Sequence, residues 1–182
     1  MSILRAPLTA LDHIIGNENA PVTLIEYGDY ECQHCGAAHP IVKNLQRHFG
    51  DDLRFSFRHF PLTEVHPNAG PAAEAAEFAG AYGLFWAAHD SIYANQHRLG
   101  LPLLFALIAN LKLSQQKLRV ALETGIYAPK VQQDFLGGVR SGVNGTPSFF
   151  INGRRHDGSY DFASLALALD MARSIAQASP DE

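Results

Sequence analysis

The spacing of apolar and polar positions changes several times along the chain, and each change marks an element. Val22-Thr23-Leu24-Ile25-Glu26-Tyr27 is a short apolar, β-branched run between Pro21 and Gly28. That is the pattern of a buried strand interrupted by one carboxylate, Glu26. From Cys32 onward Ala38, Ile41, Val42, Leu45 and Phe49 recur at spacings of three and four before Gly50, which predicts a helix and its stop. Pro40 falls inside this helix, where it removes a backbone donor and should bend the axis. Residues 53–60 then alternate apolar with polar ahead of Pro61, the period of a strand with one wetter face. Together the three segments predict a β-α-β unit.

Beyond Pro67 the strand period disappears until about residue 129, while helical spacings recur over 72–82, 84–96, 101–111 and 114–123. Gly83, Gly100 and Gly125 punctuate these segments. The stretch reads as a helical insertion with a small core of its own, to which Phe85, Trp86, Ile92 and Tyr93 belong. A further helix over about 129–139 leads into the turn-rich loop Gly142-Val143-Asn144-Gly145-Thr146-Pro147. Residues 148–151 read as a strand, Asn152-Gly153 as a two-residue hairpin turn, and 154–156 as the returning strand. Asp161 caps a last helix through about residue 176. Residues 1–20 read as an arm, and the tail 179–182 is expected to fray.

The pattern implies an α/β protein: β-α-β followed by β-β-α around a central sheet, with an inserted all-helical subdomain. The expected divisions are 1–61 for the arm and first half, 62–130 for the insertion and 131–182 for the second half.

Composition narrows the chemistry. With 182 residues, 47% of them apolar and 18% charged, the chain can bury a full core. A net charge of -4, with no block of Lys or Arg, argues against a general nucleic-acid binder. Proteins or small thiols are the better-matched partners. No apolar run approaches the roughly 18–20 residues of a membrane span. The start Met1-Ser2-Ile3-Leu4-Arg5-Ala6-Pro7 lacks the basic residues and apolar stretch of a secretory signal, which leads to the expectation of a cytoplasmic protein.

Cys32 and Cys35 are the only cysteines, spaced C-x-x-C. In a reducing compartment such a pair points to redox chemistry or metal rather than a structural staple. If a strand ends just before Cys32 and a helix begins there, the sulfurs sit one turn apart. Residues three apart on a helix bring their Cα atoms within the roughly 4.4–6.8 Å that a disulfide bridges. The helix start also turns unpaired N–H groups and a positive dipole end towards Cys32, favouring its thiolate. Cys32 is thus the candidate nucleophile and Cys35 its resolving partner. Two other readings stand beside this one, inert buried thiols or half of a zinc site. Zinc takes about four ligands, so His34, His39 or His66 would have to complete it.

Two blocks carry a family resemblance. Asp12-His13-Ile14-Ile15-Gly16 with Ala20 to Cys32, and Gly142 to Phe149, occur in the order seen in the DsbA-like thiol-disulfide oxidoreductases. The chain resembles that family, a thioredoxin fold with a helical insertion, over nearly its whole length. The resemblance implies disulfide exchange with cysteine-containing protein substrates and with a thiol redox partner such as glutathione or thioredoxin, with no organic cofactor or metal. It implies that Pro147 forms a cis peptide opposite the cysteines and, with the backbone of Thr146, holds an extended substrate chain. Gln33 and His34 fall between the cysteines, where the family often has Pro-His or Gly-Pro. Gln33 is assigned to substrate contact, and His34 to stabilising the Cys32 thiolate. Glu26 matches the family's buried acid, which would pass a proton as Cys35 attacks. Without the resemblance, Glu26 reads equally as a solvent-facing strand residue or a partner of Arg58.

Two further classes remain in view. One is a binding protein that keeps the thioredoxin scaffold while the C-x-x-C holds metal or is purely structural. The other is a transferase or isomerase acting on a small thiol conjugate, for which a single cysteine or serine would be the expected motif.

Overall fold

Strand β2 (Val22–Gly28) and strand β3 (Leu53–His59) are buried at all but one position each, as their apolar patterns require. They lie side by side in a five-stranded sheet. The computed structural model describes residues 2–178, so the tail expected to fray lies outside the described residues. Between these strands runs α1 (Gln33–Phe49), continuous through Pro40. Beyond β2 come β4 (Ser148–Ile151) and β5 (Arg154–His156), both antiparallel to their neighbours, with Leu24 opposite Ile151 and Phe150 opposite Arg155. The last helix, α7 (Phe162–Ala178), touches β4.

The arm expected over residues 1–20 contains a strand, β1 (His13–Gly16), which completes the order β1-β3-β2-β4-β5. Its four residues are too few to show a period, and none is fully buried. Pairing with the edge of β3, from His13 against Phe57 to Gly16 against Arg54, creates it. Gly16 has φ +105°, and a Cβ there would lie 2.4 Å from the Leu53 carbonyl oxygen, so only glycine fits.

The chain divides into two compact units. The first comprises residues up to Tyr27, Ala37–Arg58 and those from Gly137 onward. Its core gathers Leu24, Phe55, Phe57 and Phe150 from the sheet with Val42, Leu45, Leu165 and Leu169 from helices, all buried. Each such side chain contributes about 1.5–3 kcal/mol on leaving water. At the β4–β5 turn Asn152 takes φ +45°, and its side chain reaches back to β2. Its Oδ1 accepts from the Thr23 N–H at 2.7 Å, and its Nδ2 donates to the Pro21 carbonyl at 3.2 Å.

The second unit comprises Gly28–Gly36 and His59–Leu136. It holds α2 (Ala69–Gly80), α3 (Phe85–Ala94), α4 (Leu101–Asn110), α5 (Gln115–Thr124) and most of α6 (Ala128–Arg140). Alanines at 69, 72, 73, 75, 76 and 79 keep α2 slim enough to touch α3, α4 and α5. This helix starts three residues earlier than its apolar pattern indicates, because Pro71 falls in the first turn, where a missing N–H costs nothing. Phe60 stacks on Phe135 at 4.4 Å between ring centres. Beside them lies a buried polar group: His59 Nε2 shares a hydrogen bond with Glu77 Oε1 at 2.8 Å, and the His59 N–H donates to Asp134, whose carboxylate is also held by Lys130.

Candidate active site

The chain leaves β2 at Gly28 and reverses through Asp29, Tyr30 and Glu31 into α1. Asp29 makes the reversal: its buried carboxylate accepts from the N–H of Glu31 at 2.7 Å and of Cys32 at 3.2 Å through Oδ1. A short acceptor bonding two and three residues ahead is the chemistry of an Asx turn. Cys32 is the cap of α1, one residue before the first helical one, and its carbonyl accepts from the Gly36 N–H at 3.1 Å. The side-chain amide of Gln96 donates both to that carbonyl, at 2.8 Å, and to the Tyr30 carbonyl, at 2.9 Å. The clamp requires Gly36, since a Cβ there would come within 2.1 Å of Gln96 Oε1.

Cys32 caps α1, and Cys35 lies in its first turn. Cys32 is 6% exposed and Cys35 0%, so an incoming sulfur meets Cys32 first. Cys35 Sγ accepts from the Asp29 N–H at 3.5 Å. Gln33 and His34 between them are exposed.

The turn is rich in anchored charge. Glu31 grips Asn68, the residue before α2, accepting from its N–H at 2.6 Å and its side-chain amide at 2.8 Å. A carboxylate at that position also complements the helix dipole. Asp29 Oδ2 accepts from the Leu62 N–H and from His66 Nδ1, both at 2.8 Å. Partial burial works against protonation of His66. It is outweighed by the hydrogen bond and charge of Asp29, with Cys32 and Glu31 acting in the same direction, so the imidazole sits above its ordinary range. Tyr30 is fixed by its hydroxyl against His89 Nδ1 at 3.0 Å and by the Tyr93 ring at 5.0 Å. The aromatic stripe of the insertion thus supports the turn from α3.

The remaining expected site residues belong to the first unit. Glu26 is 2% exposed on β2, not solvent-facing, and pairs in register with Phe149 on β4. The Thr146–Pro147 peptide is cis and half-buried, directly before Ser148, which lies opposite Tyr27. Glu26 therefore lies on β2 and Pro147 in the loop that leads directly into the neighbouring strand, β4. Arg58, weighed from sequence as the partner of Glu26, gives its five N–H groups to Asp12, Tyr27 and the carbonyls of Ala6 and Pro7. Burial opposes the Arg58 charge, yet Asp12 and Tyr27 hold it more firmly protonated than usual. Of the partners that build the turn, sequence reasoning assigns no role to Asp29, Glu31 or Gln96, and reads His66 only as one of three histidines that could complete a zinc site. One signal was present: an Asp three residues ahead of a helix cap.

A family model described as Thioredoxin matches residues 9–171. The chain belongs to the thioredoxin family. Among solved structures, the fold of this thioredoxin-family chain matches oxidised BdbD from Bacillus subtilis with a TM-score of 0.85, at 22% identity, over 95% of this chain and 98% of that one. It matches alpha-DsbA1 from Wolbachia pipientis with a TM-score of 0.84, at 21% identity, over 98% of both chains. A thioredoxin-like oxidoreductase from Silicibacter pomeroyi is 24% identical over 91% of this chain and 94% of that one, with a TM-score of 0.81. These likenesses establish the thioredoxin fold in its DsbA-like form, with the helical insertion.

Curated relatives carry a different name. A protein called Na(+)/H(+) antiporter NhaA 1 from Salinispora arenicola is 45% identical over 161 residues, 88% of this chain but 24% of that protein. One called Na(+)/H(+) antiporter NhaA from Herminiimonas arsenicoxydans is 39% identical over 172 residues, 94% of this chain and 27% of that protein. The thioredoxin-family chain thus spans about a quarter of the length of these relatives. Among its described residues no helix is long and apolar enough to cross a membrane.

Proposed function

We propose that the protein is a thiol-disulfide oxidoreductase acting on cysteine-containing protein partners through Cys32 and Cys35. The observation that carries this reading is the graded exposure of two cysteines three residues apart at one helix start, Cys32 at the cap and Cys35 wholly buried behind it. In the reducing direction the Cys32 thiolate attacks a partner disulfide, forming a mixed disulfide and releasing one partner thiolate. Cys35 then gives up its proton and attacks the Cys32 sulfur, releasing the second partner thiolate and leaving the Cys32–Cys35 disulfide. Two electrons pass to the partner, and a dithiol or glutathione must return them. The oxidising direction is the reverse. Glu26 takes the Cys35 proton, His34 favours the Cys32 thiolate, and Thr146, Pro147 and Gln33 hold the extended substrate.

Equilibration in thiol buffers tests the reading. A reversible two-electron Cys32–Cys35 couple, together with capture of partners by Cys35→Ser as mixed disulfides on Cys32, is the expected result. A potential near −120 mV identifies a disulfide donor and one near −270 mV a reductant, at roughly 1.4 kcal/mol per 30 mV. Absence of any reversible disulfide overturns the reading.

The antiporter-named relatives favour a second use of the same scaffold, as a binding module attached to or docking on a membrane transporter. In that case the cysteines are structural or hold metal, Cys35→Ser captures nothing, and stoichiometric zinc is the outcome that marks a metal-holding C-x-x-C.

A further inference from the structure

Asp29 is the point at which the reactive turn meets the loop ahead of α2. Its carboxylate, 1% exposed, accepts four hydrogen bonds: from the Glu31 and Cys32 N–H groups on one oxygen, and from the Leu62 N–H and the His66 ring on the other. All four partners are donors, so the carboxylate acts as an acceptor throughout. Its negative charge then sits one hydrogen bond from the backbone of Cys32, where it opposes a second negative charge on the Cys32 sulfur. The start of α1 works the other way, but only within its first turn.

His66 supplies the missing countercharge. Because a carboxylate only accepts, Nδ1 is the protonated ring nitrogen and Nε2 the one that titrates. The side chain is 24% exposed, so it exchanges protons with water while holding Asp29. The charged groups acting on the ring are Asp29, Glu31 and Cys32, all from the turn before α1. From α3 the Tyr93 hydroxyl reaches the Asp29 carbonyl, and at the start of α2 Asn68 holds the Glu31 carboxylate. Protonated, His66 cancels Asp29; neutral, it leaves that charge facing the thiol.

We propose that His66 is a positioning residue for the redox pair, whose imidazolium, bonded to Asp29, offsets that carboxylate and thereby favours the Cys32 thiolate. The proposal rests on the reading of Cys32 as nucleophile. Coupling of this kind is reciprocal: whatever His66 does for the thiolate, the thiolate does for the imidazolium.

The test follows alkylation of Cys32 by iodoacetamide across pH in the reduced full-length protein, read on the Cys32 peptide by mass spectrometry. His66→Gln is expected to move the profile upward by roughly 0.5–1 pH unit. Adding Asp29→Asn is expected to return it towards the wild type, a reversal that loss of packing would not produce. A profile unmoved by His66→Gln overturns the proposal, as does a double variant shifted further upward. Where these variants fail to fold, NMR titration of His66 in the wild type and in Cys32→Ser decides: a lower midpoint without the thiol supports the coupling, and equal midpoints overturn it. Failure of the exchange reading shows separately, as absence of a reversible disulfide in thiol buffers.

Discussion

The side-chain amide of Gln96 donates to the carbonyl of Cys32 at 2.8 Å, 64 residues away in sequence. With its second bond to the Tyr30 carbonyl, it ties the reactive turn to the segment after α3. Gln96→Ala should cost about 1–2 kcal/mol in urea unfolding, the usual yield of two such bonds. Gly36→Ala displaces the same amide and should destabilise the wild type. In the Gln96→Ala background the clash is gone, and alanine's helix preference should make the change stabilising by up to about 1 kcal/mol. A double-mutant cycle reads this reversal of sign; additive effects would refute the clamp.

Arg58 and Asp12 form a two-point ion pair at 2.7 and 3.0 Å, each side chain 4% exposed. Removing one member leaves a buried charge, so Asp12→Ala should lose roughly 3–5 kcal/mol. Asp12→Leu with Arg58→Met should lose less than either single change, because no lone charge remains. Thermal unfolding of Asp12→Ala, of the two single changes and of the double variant measures the difference.

Glu74 on α2 has a buried Oε2 with no hydrogen-bond partner among the described residues, and burial pushes its carboxyl above the ordinary range. The native state therefore keeps this proton to higher pH than the unfolded chain does. Stability contributed by the protonated form is lost as pH rises from the ordinary carboxyl value through the native one. Glu74→Gln should remove that dependence, stabilising by a few tenths of a kcal/mol at pH 7, since the carboxylate is partly solvated, and by less at pH 4. Equal gains at both values would show that burial of the charge is not the cause.

Much of this molecule was legible in its sequence because its elements advertise their periods. The strand over 22–28, the helix after Cys32 and the Asn152-Gly153 hairpin each combine a repeat with a stop residue, and the structure places all three within a residue or so. β1 was not legible, since a four-residue edge strand owes its existence to β3 rather than to its own pattern. The site divides the same way. Two cysteines three apart announce themselves, whereas His66 stands out only as one of three histidines that could complete a zinc site, and Gln96 looks like an ordinary polar residue until the fold brings it to the turn. Side-chain bonds that span more than 30 residues leave no local trace. Asp29, whose partners at Glu31 and Cys32 are local, was the one support within reach of sequence reasoning.

The hairpin at Asn152 also bears on which substitutions the chain can accept. Turns that require positive φ are commonly treated as open to exchange among asparagine, glycine and aspartate. Here the amide both donates to Pro21 and accepts from Thr23, 131 and 129 residues away. Glycine would keep the bend and lose both ties. Aspartate would keep the acceptor and set a charge against the Pro21 carbonyl. Because both ties end on backbone groups at the start of β2, no side-chain change at 21 or 23 could replace them, and a homologue carrying either residue at this turn would need another way to hold that end of the strand.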